Sequence, residues 1–130
     1  MRIGELIKYL ESWAPPGASW DKDNTGLQTG NADKDVKSIF LCLELTSDAL
    51  DEAIQLNCNF IITHHPLIFK PLKNLNLKSD KTSQLIERII KNDITLYSCH
   101  TNFDFTKNGV SFELAKTLNL KGLKFLENIS

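Results

Sequence analysis

The sequence predicts an α/β fold, a mainly parallel sheet whose strands are joined by crossover helices. Apolar runs at helical spacing alternate along the chain with short runs of β-branched and apolar residues, and each kind of run indicates its own secondary structure. Parallel neighbours need a connection of a dozen or more residues, usually a helix, so the alternation favours a parallel sheet. Polar clusters follow two of the predicted strands, at the carboxyl ends where ligands bind in open sheets.

The amino-acid composition limits the number of domains and the classes of partner that the protein can have. The 130 residues are 42% hydrophobic and 24% charged, which predicts one folded domain over residues 1–130. A formal net charge of -1 gives no basic field that would support nucleic-acid binding. No stretch approaches the roughly 20 apolar residues of a membrane span, and the first residues do not read as a signal region. Three separated cysteines without a C-x-x-C pair favour reduced thiols and a cytoplasmic protein.

The first helix is predicted from Ile3 to about Trp13. Its stripe of apolar residues has the spacing i, i+3, i+4 and i+7 and consists of Ile3, Leu6, Ile7 and Leu10. That spacing places the four side chains on one helix face. Two prolines and a glycine follow and end the helix. Residues 19–35 are rich in Asp, Asn, Gly and Thr without periodicity, which is typical of an ordered loop.

A strand, a helix and a second strand are predicted next. Residues 36–43 are β-branched and apolar enough for a buried strand. Thr46 is a helix N-cap for a segment that continues to about Asn57. Residues 59–63 form a second apolar run, and Pro66 lies shortly after its end, where proline opposes continuation of a central strand.

The rest of the chain repeats the pattern. A third helix is predicted over residues 81–91, with apolar side chains on one face. Residues 94–99 form the third predicted strand, and a last helix is expected near residues 110–118 after the turn at Gly109. Each strand is thus followed by a helix, as in a parallel sheet with crossover connections.

The candidate metal ligands lie directly after the second and third predicted strands. His64 and His65 follow one of them, and His100 and Asp104 follow the other. An isolated His pair is most often an ordinary surface pair, but parallel strands bring both clusters to one edge of the sheet. Two or three imidazoles with a carboxylate suit zinc, iron(II), manganese or nickel and do not discriminate among these metals. The metal site is therefore expected in these loops.

Other polar residues are weaker candidates. The segment of residues 23–28 could position a substrate or orient a metal ligand, although turn chemistry explains most of its composition. Glu44 could reach the same edge, but helix entries also favour acidic residues. Cys99 should point away from His100 as a buried strand thiol. No Gly-rich phosphate loop follows a strand and no nucleophile elbow is present, which argues against nucleophilic serine chemistry.

Three segments in order carry a resemblance to a known family: WDKDNTGLQ at residues 20–28, IITHHPLIF at residues 61–69 and YSCHTNFD at residues 97–104. They resemble the NGG-interacting factor three-like family, whose members are also called GTP cyclohydrolase 1 type 2 homologues. The resemblance extends over nearly the whole chain. It implies an α/β fold, a dinuclear metal centre and ring-like hexamers.

The resemblance also assigns residues. His64, His65 and Asp104 match the family's metal ligands, and His100 matches a residue close to the metal centre that could transfer a proton. Family members are about twice as long, and their second half supplies an H-x-x-x-E motif. No His follows His100 in this sequence. The chain therefore corresponds to the N-terminal part of the family fold without the C-terminal metal-ligand part.

Two functions follow from the resemblance as expectations. The first is a hydrolase with up to two divalent metal ions, acting on a small molecule related to a nucleotide or pterin, with His100 as the catalytic residue. The second is a non-catalytic module that binds metal or a protein partner. In either case the chain is expected to be a homo-oligomer, since a missing half would leave strand edges and apolar patches exposed.

Overall fold

The computed structural model describes residues 1–125 and contains one four-stranded sheet with helices on both faces. The helices are α1 (Ile3–Trp13), α2 (Ser47–Gln55), α3 (Lys81–Lys91), α4 (Thr101–Asp104) and α5 (Val110–Thr117), and a short 3-10 helix spans Pro16–Ala18. The strands are β1 (Gly26–Thr29), β2 (Ile39–Cys42), β3 (Phe60–Thr63) and β4 (Thr95–Ser98). Among the described helices, none is long and apolar enough to cross a membrane.

The sheet is mostly parallel, as predicted. Its strand order is β1-β4-β3-β2, in which β2, β3 and β4 run parallel and β1 pairs antiparallel with β4. The prediction of a loop over residues 19–35 was wrong where β1 forms. Gly30 ends this strand with a φ of 108°, and a Cβ there would lie 2.5 Å from the Cα of Thr95. The glycine thus serves the close approach of β1 to β4.

The longer helices follow their sequence signals. Helix α3 has the predicted bounds, and the Asp80 side chain accepts a hydrogen bond from the Ser83 amide at 2.8 Å at its start. Helix α2 begins after Thr46, whose hydroxyl accepts from the Ala49 amide at 3.1 Å. Both are N-caps of the expected kind. Helix α4 was not predicted, because four polar and aromatic residues carry no helical periodicity.

Strand alternation divides the core between the two faces of the sheet. Ile61 and Leu96 lie in register on one face, in a cluster with Leu50 of α2 and Ile89 of α3. Phe60 and Tyr97 lie on the opposite face, in a cluster with residues of α1. Because successive strand residues point to opposite faces, two neighbouring residues of one strand serve two cores. The sheet is held from both sides.

The register of β3 and β4 sets the position of the site. Thr63 is paired with Ser98 at the carboxyl ends of the two strands, and their hydroxyls are 2.8 Å apart. The Cys99 amide donates to the Thr63 carbonyl at 2.9 Å. The first residues beyond each strand, His64 and Cys99, therefore leave the sheet side by side.

Candidate metal centre

Three histidines converge at the carboxyl edge of the sheet. One ring nitrogen from each of His64, His65 and His100 lies within 4.8 Å of those of the other two. The centroids of the three rings are 5.1 to 5.8 Å apart. Asp104 joins the group through His64, because its Oδ1 lies 3.7 Å from Nε2 of that ring. All four candidate side chains are thus brought together in the structure.

A bend after β3 turns two consecutive histidines into one cluster. The amides of His64 and His65 both donate to the carbonyl of Leu43, at 3.1 and 2.8 Å. Consecutive residues of a straight strand project to opposite faces, and a regular ladder does not give two successive amides the same acceptor. The chain therefore leaves the strand geometry at this point, shortly before Pro66.

Helix α4 brings Asp104 back toward the histidines. Its amide donates to the carbonyl of His100 at 3.3 Å, which closes one helical turn. Residues four apart on a helix lie on the same side. The short helix is thus the local structure that lets two residues separated by Thr101, Asn102 and Phe103 serve one site.

The ring of His64 is oriented by a backbone carbonyl. Its Nδ1 lies 2.8 Å from the carbonyl oxygen of Cys99. Since a carbonyl can only accept, this nitrogen donates its hydrogen, and the neutral ring keeps its lone pair on Nε2. That is the nitrogen near Asp104. In its neutral form, His64 therefore presents an unprotonated nitrogen to the cluster.

The ring of His100 is oriented by the carboxylate of Asp23. The distance from His100 Nδ1 to Asp23 Oδ1 is 2.7 Å, and the Asp23 side chain is only 1% exposed. The Thr101 amide and hydroxyl donate to the other carboxylate oxygen at 3.1 and 2.5 Å, and the Asn24 amide donates to Oδ1 at 2.8 Å. Asp23 thus holds the His100 ring through Nδ1, and hydrogen bonds from Thr101 and Asn24 hold the Asp23 carboxylate in place.

Burial and hydrogen bonding act on Asp23 in opposite directions. Burial alone would raise the pKa of its carboxyl group, whereas hydrogen bonds from the Thr101 hydroxyl, from His100 and from two backbone amides lower it. The net pKa lies below the ordinary value of 3.8. Hydrogen bonds to the charged form favour ionisation, so Asp23 is a carboxylate at neutral pH.

The role of residues 23–28 was left open by the sequence, and β1 resolves their placement. Gly26 pairs with Ser98 across β1 and β4, and the Thr25 hydroxyl lies 2.9 Å from the Ser98 carbonyl oxygen. This pairing holds Asp23 beside His100, which lies two residues beyond β4. The available sequence signal was the WDKDNTGLQ segment, since Asp23 lies within it.

Glu44 and Cys99 do not join the cluster. Glu44 is exposed, and its side chain makes no hydrogen bond or ion pair with residues 1–125. Cys99 is 8% exposed and lies with Tyr97 in the core cluster that α1 covers. Burial, together with the charge of Glu11, raises the pKa of Cys99 to about 11. The prediction of a buried thiol is confirmed, and this thiol is protonated at neutral pH.

The donor set fits a divalent metal ion. Imidazole nitrogens and carboxylate oxygens suit zinc, iron(II), manganese and nickel. In protein metal sites the second nitrogen of a coordinating histidine usually donates to a carbonyl or a carboxylate. His64 and His100 both have that arrangement. The cluster therefore has nitrogen and oxygen atoms of a kind that metal ions bind, and it has groups that orient two of its three imidazole rings.

Comparisons with known proteins agree with the resemblance. The model of the Duf34/NIF3 (NGG1p interacting factor 3) family matches residues 1–129. A relative from Halalkalibacterium halodurans named GTP cyclohydrolase 1 type 2 homolog is 36% identical over 121 residues, which are 93% of this chain and 32% of the relative. The relative of the same name from Clostridium acetobutylicum is 39% identical over 111 residues, 85% of this chain and 41% of the relative. The chain thus spans less than half the length of these relatives.

Solved structures share the fold. A Bacillus cereus protein related to NIF3 superimposes with a TM-score of 0.91 at 41% identity, over 98% of this chain and 35% of that one. Reduced HcgD from Methanocaldococcus jannaschii superimposes with a TM-score of 0.90 at 34% identity, over 100% of this chain and 52% of that one. The mixed sheet and its helices therefore have the arrangement found in these proteins.

Proposed function

Because this chain belongs to the Duf34/NIF3 family, we propose that its histidine cluster is a divalent metal centre and that the protein is a metal-dependent hydrolase. The convergence of three imidazoles within 4.8 Å, with a carboxylate oxygen 3.7 Å from one of them, carries this proposal. Relatives named GTP cyclohydrolase 1 type 2 homolog support a nucleotide-related small molecule as the substrate class.

The proposed ligands are His64, His65 and Asp104. His64 has its Nε2 free, since its Nδ1 is bound to a carbonyl. His65 is exposed, so its ring is accessible to an ion or a substrate from the solvent. A bound divalent ion would supply Lewis-acid chemistry, polarising an oxygen of the substrate and lowering the pKa of water. His100 contributes a further ring nitrogen, and two roles are open to it, proton transfer and coordination.

We propose that the groups described here hold one ion and that a second ion needs ligands from elsewhere. Two-metal hydrolases hold their ions about 3.5 to 4 Å apart and share ligands between them. The four side chains of the cluster are few for two such ions. Metal binding by residues 1–130 is therefore expected to be weak, and its stoichiometry is expected to be one.

Titration calorimetry with zinc or manganese tests the metal centre. We expect His64→Ala and Asp104→Ala to reduce binding strongly while leaving the fold intact, because both side chains are partly solvent-exposed. Circular dichroism checks the fold of each variant. Equal binding by the wild-type protein and by both variants would remove these residues from the site.

The hydrolase proposal has a separate test. This chain is expected to hydrolyse GTP at a rate near background even with added metal, because the second ion would be poorly held. Addition of a complementary C-terminal half, where one is encoded, is expected to restore metal loading together with activity. Robust metal-dependent turnover by residues 1–130, abolished by Asp104→Ala, would show that these residues already contain a complete site.

An apolar groove favours a second candidate function, a module that binds a protein partner. Leu41 and Leu43, in and just after the edge strand β2, are 70% and 62% exposed. They line a groove with Leu6 and Leu10 of α1 that reaches His64. An unpaired edge strand beside exposed apolar side chains promotes association. We propose that the partner is a second copy of this chain, so that the protein forms a homo-oligomer, at least a dimer. A monomeric mass by light scattering over a wide concentration range would contradict this proposal.

A further inference from the structure

The hydrogen bonds of His100 repeat those of His64. Each ring binds an oxygen acceptor through Nδ1, the Cys99 carbonyl at 2.8 Å in one case and the Asp23 carboxylate at 2.7 Å in the other. In each neutral ring the lone pair is then on Nε2. The exposed ring of His65 makes no hydrogen bond within the described part of the chain. Two of the three rings are therefore held in the tautomer in which Nε2 can coordinate.

We propose that His100 is itself a metal ligand and that Asp23 is the positioning residue that orients it. The inference rests on the proposed metal centre and adds a ligand to it. One ring nitrogen of His100 lies within 4.8 Å of a ring nitrogen of His64 and of His65, so all three rings are close enough to bind one ion. A carboxylate behind a coordinating imidazole fixes its ring and makes the nitrogen more basic toward the metal.

Asp23 is built into the protein as an orienting group. Its side chain is 1% exposed, and its two oxygens accept hydrogen bonds from Thr101, Asn24 and His100. A carboxylate held at both oxygens cannot rotate away from the ring. An ionised side chain is rarely buried unless its partners compensate for the lost hydration, and one of those partners here is the imidazole of the candidate centre.

The competing role for His100 is proton transfer. A carboxylate on Nδ1 also orients the histidine base of hydrolytic triads, so this hydrogen bond by itself does not distinguish the two roles. A proton-transferring His100 would leave the affinity for zinc unchanged when it is removed. A coordinating His100 would not. The affinity for zinc in the absence of any substrate therefore separates them.

Zinc titration of the whole chain is the first test. Asp23→Ala is expected to weaken zinc binding about 10-fold to 100-fold, the usual effect of losing an orienting partner, and His100→Ala at least as much. Asp23→Asn should lose less, since its amide oxygen can still accept from Nδ1. The matched control is Asp93→Asn, which removes a carboxylate that pairs with Lys34 and should leave zinc affinity unchanged.

Nitrogen-15 NMR of the imidazoles gives a readout that does not depend on affinity. In zinc-free wild-type protein, His100 is expected to carry its hydrogen on Nδ1, and zinc is expected to shift the Nε2 resonance. Asp23→Ala should lose the fixed tautomer. Asp23→Asn, whose amide oxygen can still accept from Nδ1, and Thr101→Val, which keeps the Asp23 bond to His100, should both retain the wild-type tautomer. If Asp23→Ala fails to fold, the tautomer of His100 in zinc-free wild-type protein is itself the test.

The outcomes separate the two proposals. If wild-type protein binds no zinc, the metal centre itself is wrong. If wild-type protein binds zinc and His64→Ala does not, while His100→Ala and the Asp23 variants bind as tightly as wild type, the metal centre stands and the present inference is overturned. An Nε2-protonated His100 in zinc-free wild-type protein would overturn it as well.

Discussion

The two ends of the sheet are both polar, but their polar groups are used differently. At the amino end, the Asn59 side chain accepts from the Lys37 amide and donates to the Asp35 carbonyl, both at 2.8 Å. Lys34 and Asp93 form an ion pair beside it, and a cavity lies between these groups. At the carboxyl end, hydrogen bonds engage one nitrogen on each of two imidazoles and leave the other nitrogen free.

This difference separates a structural polar cluster from a candidate site better than the presence of a cavity does. In the described residues, no buried side-chain nitrogen or oxygen lacks a hydrogen-bond partner. The free nitrogens of the histidines are therefore accessible rather than trapped. The Asn59 amide group, by contrast, already satisfies neighbouring backbone groups. A polar group that is held in place and still has an open lone pair indicates a ligand site.

Metal addition should stabilise the protein through the carboxyl end, and this is the largest effect that we expect. An ion that binds only the folded state stabilises it by about 2.7 kcal/mol when its free concentration is 100 times its dissociation constant. Urea unfolding with and without zinc, and again after a chelator is added, measures the effect. His64→Ala should lose most of it. Equal stabilisation of wild type and this variant would place the ion elsewhere.

Asn59→Ala should show the opposite behaviour at the amino end. It removes the hydrogen bonds to the Lys37 amide and the Asp35 carbonyl, and two hydrogen bonds that contribute about 0.5–1.5 kcal/mol each stabilise the protein by about 1–3 kcal/mol together. Stability in urea should fall by that amount, while zinc affinity stays at the wild-type value. A variant with weakened zinc binding and unchanged stability would show that the two ends do not differ as we describe.

The sequence predicts local features of the fold well and non-local ones poorly. Helix α3 has an apolar face, with Ile86 and Ile89 buried, and an N-cap at Asp80. Its bounds can therefore be predicted from residues that lie within or next to the helix. Strand β1 has the sequence GLQT, which lacks alternation. It is a strand because it pairs with β4 about 70 residues later, and no propensity contains that information.

The same distinction applies to the candidate site. His64, His65 and His100 could be placed together because each lies just after a predicted parallel strand, and parallel strands end at one edge. Asp23 could not be placed, since it lies 77 residues before His100. Its position depends on the antiparallel pairing of β1 with β4. From the sequence, turn chemistry explained most of the segment and the orientation of a metal ligand was the weaker explanation, whereas the structure places the Asp23 carboxylate 2.7 Å from His100 Nδ1.

Asp80 belongs to neither of the two polar clusters at the ends of the sheet. Its substitution is expected to have the smallest effect of the changes considered, and the contribution of its charge to stability depends on pH. Hydrogen bonds from the hydroxyl and amide of Ser83 lower the pKa of its carboxyl group below the ordinary 3.8. A group with a lowered folded-state pKa stabilises the protein fully above its unfolded-state pKa and loses that contribution as the pH falls through the folded-state value.

Asp80→Ala should therefore be less stable than wild type at pH 7, and the gap should close as the pH falls below 3.8, which urea unfolding at several pH values measures. Asp80→Asn keeps an oxygen that can accept from the Ser83 amide, and Asn caps helices about as well as Asp. Its own gap to wild type should be small at pH 7. A deficit of Asp80→Ala that stays constant down to pH 3 would mean that the neutral acid caps α3 as well as the carboxylate does. Zinc affinity should be unchanged in both variants at pH 7, because the Asp80 side chain accepts hydrogen bonds from Ser83 and binds none of the histidine rings.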